Sequence, residues 1–121
     1  MKTTVIIGAT TNPSRYAYLA ASMLNENRYD FFPVGIKAGE IFGRQILNIK
    51  EKPAIGEVGT VTLYIGPDHQ PEWYDYILSL SPDRVIFNPG TENEEFEKLL
   101  IEKNIEPIQA CTLVMLRTGQ Y

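Results

Sequence analysis

The run Thr3-Thr4-Val5-Ile6-Ile7, β-branched throughout and closed by Gly8, constrains the fold of this chain more than any other feature. β-Branched side chains are stiff and pack well on a pleated sheet, and a run without polar alternation suits a strand covered on both faces. Behind it, Tyr16, Leu19, Ala20, Met23 and Leu24 recur at helical spacing, which predicts an amphipathic helix over about residues 14–27. A buried strand, a glycine turn and a helix together open a strand–helix–strand unit.

The pattern then repeats. Residues 30–34 read as a second strand. Residues 35–53 read mostly as loop, with a short strand near 45–47. A third strand spans 60–65 and is closed by Gly66-Pro67. The next helix starts near Asp68 and buries Trp73 or Tyr74 together with Ile77 and Leu78. Residues 84–87 form a fourth strand. Thr91 and Glu94 have the spacing of a capping box for a helix whose inner face is Phe96, Leu99 and Leu100. Asn104 stops that helix, and residues 105–108 and 112–116 read as fifth and sixth strands. The expected class is α/β: a Rossmann-like, doubly wound, mostly parallel sheet of five to six strands with helices on both faces. Residues 1–121 are expected to form a single domain, since domains usually run ~100–150 residues.

Such sheets bind ligands beyond the carboxyl ends of their strands, where the strand order reverses. The candidate loops therefore follow Ile7, Val34, Ile65 and Phe87. In the first, Gly8 permits a sharp turn and a close approach to backbone. Asn12 or Ser14 can cap the helix, and Pro13 suits its first turn. The helix start offers N–H groups and partial positive charge to a phosphate, with Thr10, Thr11 and Arg15 as added donors. An ordinary capped strand–helix junction fits the same residues equally well.

Composition removes several classes. With 11 Lys+Arg against 15 Asp+Glu the net charge is −4, which argues against a nucleic-acid partner held on a basic face. One cysteine excludes an internal disulfide framework, and one histidine excludes His-rich metal sites. No stretch reads as a signal peptide or membrane span, so the reading is a cytoplasmic protein. The dinucleotide fingerprint Gly-x-Gly-x-x-Gly is missing, because Thr10 and Pro13 stand at its second and third glycines. No acid closes the second strand to bind ribose hydroxyls; the nearest charge is Lys37, which suits a phosphate. An NAD(P)- or flavin-dependent oxidoreductase is therefore the weaker alternative. A third alternative is an interaction or regulatory module without a ligand. Phe31, Phe32, Phe42, Trp73, Tyr74 and Tyr76 are more aromatics than a small core needs, and a homodimer face would use some of them.

Gly8-Ala9-Thr10 with Pro13, Arg15 and Tyr16, then Pro33-Val34 with Lys37, Gly39, Glu40, Ile41 and Gly43, resemble the stand-alone CoA-binding domain family. Relatives include the N-terminal domain of the succinyl-CoA synthetase α-subunit. The resemblance continues through Tyr64, Pro67, Gln70 and the stretch 87–93 to Cys111-Thr112-Leu113. It implies a small CoA- or acyl-CoA-binding protein without catalysis of its own. By this resemblance Gly8, Ala9, Thr10 and Arg15 surround the pyrophosphate. Lys37 lies near the nucleotide end, with Gly39 and Ile41 beside the adenine. Ile65 and Pro67 form a wall, Gln70 starts the next helix, and Asn88, Pro89 and Gly90 face the pantetheine arm. Two departures stand out: many relatives have Asn-Pro-Lys where this chain has Gly35-Ile36-Lys37, and His69 matches no catalytic histidine of the ligase relatives. Cys111 would join the CoA thiol in a mixed disulfide only if exposed and thiolate-prone; a small buried residue is the plainer reading.

Overall fold

Strand–helix alternation builds a parallel sheet. In the computed structural model, which describes residues 2–121, β1 (Thr3–Ile7) leads through α1 (Tyr16–Glu26) to β2 (Phe31–Gly35). An antiparallel hairpin of β3 (Glu40–Ile41) and β4 (Arg44–Gln45) follows, then β5 (Leu47–Asn48) and a 3-10 turn over Ile49–Glu51. After these come β6 (Val58–Leu63), α2 (Tyr74–Ser79), β7 (Arg84–Phe87), α3 (Glu94–Glu102), β8 (Glu106–Gln109) and α4 (Thr112–Arg117). The main sheet has the order β5-β2-β1-β6-β7-β8, and every neighbouring pair is parallel. The chain steps outward from β1 to β2 and β5, then returns to the other side of β1. The strand order therefore reverses between β1 and β6, whose ends pair at Ile7 and Leu63.

The period-2 geometry of strands sorts the core into two layers. Val5, Ile7, Val61, Leu63, Val85 and Phe87 face Tyr76 and Ile77 of α2 and Phe96 and Leu100 of α3. Ile6 and Phe31 face Ala17, Ala21 and Leu24 of α1 and Leu116 of α4. Phe31, Phe87 and Phe96 are buried, each stabilising the fold by about 2–3 kcal/mol relative to exposure. On the α1/α4 face β6 presents Thr60 and Thr62 instead of hydrophobes. Arg84 Nε donates to the Thr60 hydroxyl at 2.9 Å, and Asn88 Nδ2 donates to Thr62 Oγ1 at 2.7 Å, so neither buried hydroxyl is orphaned.

Four expectations change. Residues 112–116 are helical, forming α4, and the sixth strand is β5. The expected capping box at Thr91 and Glu94 is absent: Asn93 caps α3 by accepting the Phe96 N–H at 3.1 Å, while the Thr91 hydroxyl donates to the Asn88 carbonyl at 2.8 Å. The helix expected from Asp68 is broken into 3-10 turns over Pro67–His69 and Pro71–Trp73 before α2 begins. Pro71 has no N–H for the Pro67 carbonyl, and its ring would clash there in a continuous α-helix. In α1, Ala17, Ala20, Ala21 and Leu24 are buried, whereas Tyr16 and Leu19 point outward, so the inner stripe is rotated from the expected one.

The aromatic surplus is mostly absorbed within the chain. Phe31 and Tyr76 are buried, and Phe32, Trp73 and Tyr74 are half-buried against the core. Phe42 remains exposed, with its ring 5.2 Å from that of Tyr18.

Candidate functional site

Where the strand order reverses, the carboxyl ends of β1, β2, β6 and β7 surround a crevice of about 770 Å³. Glycines allow these ends to converge. Gly8 has φ +97°, and a Cβ there would lie 3.1 Å from the Tyr64 carbonyl. At Gly35 a Cβ would come within 2.6 Å of the Ala9 carbonyl oxygen, which a fixed backbone cannot relieve. Two loops thus approach more closely than any side chain would permit.

The β1–α1 loop is held by its own polar groups. Asn12 Oδ1 accepts the Ser14 N–H at 3.0 Å and the Ser14 hydroxyl at 2.7 Å, and the Asn12 carbonyl accepts the Arg15 N–H at 3.1 Å. Thr10 Oγ1 accepts the Asn12 N–H at 3.1 Å. Gly8 and Ala9 both donate their N–H groups to the Val34 carbonyl, so neither is left for an anion. Among the described residues, the N–H groups of Thr10, Tyr16 and Ala17 have no partner, and all three residues line the crevice. Arg15 and Lys37 line it as well and form no ion pair among the described residues. This wall therefore carries unspent donors and two cations at a helix start, an arrangement that favours an anion.

The opposite wall hangs on Gln70, which is fully buried. Its Nε2 donates to the carbonyls of Ile65 at 3.0 Å and Thr91 at 2.8 Å, and its Oε1 accepts from Asn93 Nδ2 at 3.0 Å. Gln70 thereby ties the loop after β6 to the loop after β7. Asn88, also buried, donates through Nδ2 to the Leu63 carbonyl at 2.8 Å as well as to Thr62, and accepts the Thr112 N–H.

Of the residues singled out in the sequence, Gly8, Ala9, Thr10, Ser14, Arg15, Tyr16, Lys37, Ile65, Pro89 and Gly90 line this one crevice. Gln70 and Asn88 stand behind its walls as struts. Asn12 shapes the loop from outside. Thr11 packs on Gly39, where a Cβ would meet Thr11 Cγ2 at 2.4 Å, so that glycine permits loop contact. Ile41 is buried in the layer under α1, away from the crevice surface. Pro67 is exposed in a 3-10 turn and does not line the crevice. Cys111 is half-buried at the start of α4, also outside the lining.

Residues not foreseen include Ile36, Tyr64, His69, Glu72 and Trp73. The paired prolines at 67 and 71 were the available signal for the last three, because 3-10 turns re-aim side chains that a helix would carry elsewhere. Tyr64 has a buried hydroxyl with no hydrogen bond. Burial pushes its pKa up to about 12, outweighing the lowering effect of the nearby Thr112 and Thr62 hydroxyls. Among the described residues no His, Cys, Asp or Glu cluster could hold a metal ion, and no helix is long and apolar enough to cross a membrane.

The sequence model of the CoA binding domain family matches residues 2–117. The chain belongs to the CoA binding domain family. No curated protein matches it. A crystal structure of an uncharacterized protein is similar at 57% identity and TM-score 0.95, covering 100% of this chain and 98% of its own. The structure of cell-free ID.343 from Thermus thermophilus is 24% identical with TM-score 0.84, covering 99% of this chain and 90% of that one. A dinucleotide-forming acetyl-coenzyme A synthetase 1 of Candidatus Korarchaeum cryptofilum, in complex with phosphate and ADP, shares the fold at 15% identity and TM-score 0.70. That likeness covers 88% of this chain but 25% of the synthetase, so the CoA-binding domain here matches one part of a much larger protein.

Proposed function

We propose that this CoA-binding domain holds coenzyme A or an acyl-CoA in the crevice between β1 and β6, without chemistry of its own. The pyrophosphate lies against the β1–α1 loop, Lys37 serves the phosphorylated nucleotide end, and the pantetheine arm runs toward Ile65, Pro89 and Gly90. The observation that carries this reading is the pairing of family membership with unspent N–H groups at Thr10, Tyr16 and Ala17 beside Arg15. The crevice volume, about 770 Å³, falls within the ~300–1,000 Å³ common for small-molecule sites. With 15 acids against 11 basic residues the whole protein repels a polyanion, so attraction must be local.

Isothermal titration with CoA, NADP and NAD tests the reading. CoA binding in the micromolar range, with NAD at least about tenfold weaker, is the expected result. A folded sample that ignores CoA at hundreds of micromolar overturns it.

A further inference from the structure

The crevice is electrically divided. Its β1–β2 wall carries Arg15 and Lys37, and its β6–β7 wall carries Glu72. A second carboxylate, Glu92, is fixed at that side: its Oε1 accepts the N–H of the crevice-lining Gly90 at 2.8 Å. Glu72 has no ion-pair or hydrogen-bond partner among the described residues, and His69 on the same wall does not pair with it. Ile65 and Trp73 give that same wall apolar surface.

An acyl-CoA carries its phosphates at one end and its acyl group at the other. With the phosphates on the cationic wall, the acyl group reaches the wall of Glu72 and Glu92. We infer that this wall favours acyl groups lacking a terminal carboxylate: the preferred ligand class is neutral acyl-CoA over dicarboxylic acyl-CoA. A terminal carboxylate there meets two like charges. It also loses water against Trp73 and Ile65 without gaining the Gly90 N–H, which Glu92 already occupies. The inference rests on the CoA reading above and adds the acyl class to it.

Butyryl-CoA and succinyl-CoA have acyl chains of equal carbon number and differ in the terminal carboxylate. Calorimetry, or the fluorescence of Trp73, the single tryptophan, measures both affinities. The wild-type protein should bind butyryl-CoA about fivefold more tightly than succinyl-CoA, a ratio that shrinks as salt rises. Glu72→Gln, and separately Glu92→Gln, which keeps an acceptor for Gly90, should each bring the ratio to about twofold. Glu102→Gln, at the far end of α3, should leave the ratio as it is. Equal wild-type affinities, or a ratio that neither crevice variant changes, overturn the acyl selectivity while leaving CoA binding intact. Failure of CoA and butyryl-CoA alike to bind folded protein overturns the parent reading instead.

Discussion

Asn88 Oδ1 accepts the backbone N–H of Thr112 at 2.8 Å, capping α4 from 24 residues away. Cys111, in the cap position, supplies no side-chain bond of its own. The same amide binds Thr62 and Leu63, so one side chain joins β6, β7 and α4 at the edge of the crevice. Asn88→Ala should therefore destabilise the protein by about 3 kcal/mol, since several buried groups lose their partners together. Urea denaturation measures this; a loss under about 1 kcal/mol would show that the cap contributes little.

Gln70 is the corresponding strut on the other loop. Gln70→Leu keeps similar bulk but strands the carbonyls of Ile65 and Thr91. A loss of about 2 kcal/mol in stability is expected. CoA affinity should also fall by about tenfold in protein that remains folded, because the β6–β7 wall of the crevice loosens.

Tyr64 and Tyr76 share a direction of pKa shift but differ in bonding. Burial raises each to about 12. Folding thus favours the neutral phenol, so this stability is intact below the ordinary value near 10 and lost as pH rises from about 10 through 12. At pH 8, Tyr64→Phe should cost under about 0.5 kcal/mol, because its hydroxyl bonds nothing. Tyr76→Phe should cost about 1 kcal/mol, because its hydroxyl donates to the Pro53 carbonyl at 2.8 Å. Urea midpoints at pH 8 and pH 11 should show each variant losing less stability with pH than the wild type.

Two glycines provide a matched pair. Gly35→Ala places a methyl 2.6 Å from the Ala9 carbonyl and should destabilise by about 2–3 kcal/mol. Gly56→Ala, where a Cβ meets nothing within 4 Å, should be neutral or raise stability by about 0.5 kcal/mol. Similar thermal midpoints for the two variants would refute a tight β1–β2 convergence.

Charge reversal tests where phosphate attraction resides. Arg15→Glu and Lys37→Glu should each weaken CoA binding by about tenfold at low salt, with a smaller loss at high salt. Lys103→Glu, at the end of α3 remote from the crevice, should change affinity by less than about twofold. Equal losses at all three positions would assign the effect to net charge.

Much of the fold was legible along the chain. The run Thr3–Ile7 became β1 without change, and residues 84–87 became β7. Both strands are largely buried, and most of their residues are apolar or β-branched, which is a local signal. The glycine turn at Gly8 and the cation at Lys37 were legible too, because a positive φ and a formal charge belong to single residues. That is why ten of the residues singled out in the sequence line one crevice.

The failures have one cause. Thr112-Leu113-Val114 has strand composition, yet α4 forms because Asn88 supplies its cap and Leu116 packs under α1. The family resemblance placed Gln70 at a helix start and Asn88 toward the pantetheine arm, but it did not reveal that their side chains bond groups 5 to 26 residues away in sequence. Glu72 reaches the crevice through 3-10 turns that Pro67 and Pro71 impose. The sequence by itself determined the strands, the turns and the chemistry available at their ends, since period, φ and charge are local. Only the tertiary structure decided which polar groups were spent on the protein itself and which were left for a ligand, because a buried donor takes whatever acceptor the packed chain brings within hydrogen-bond distance.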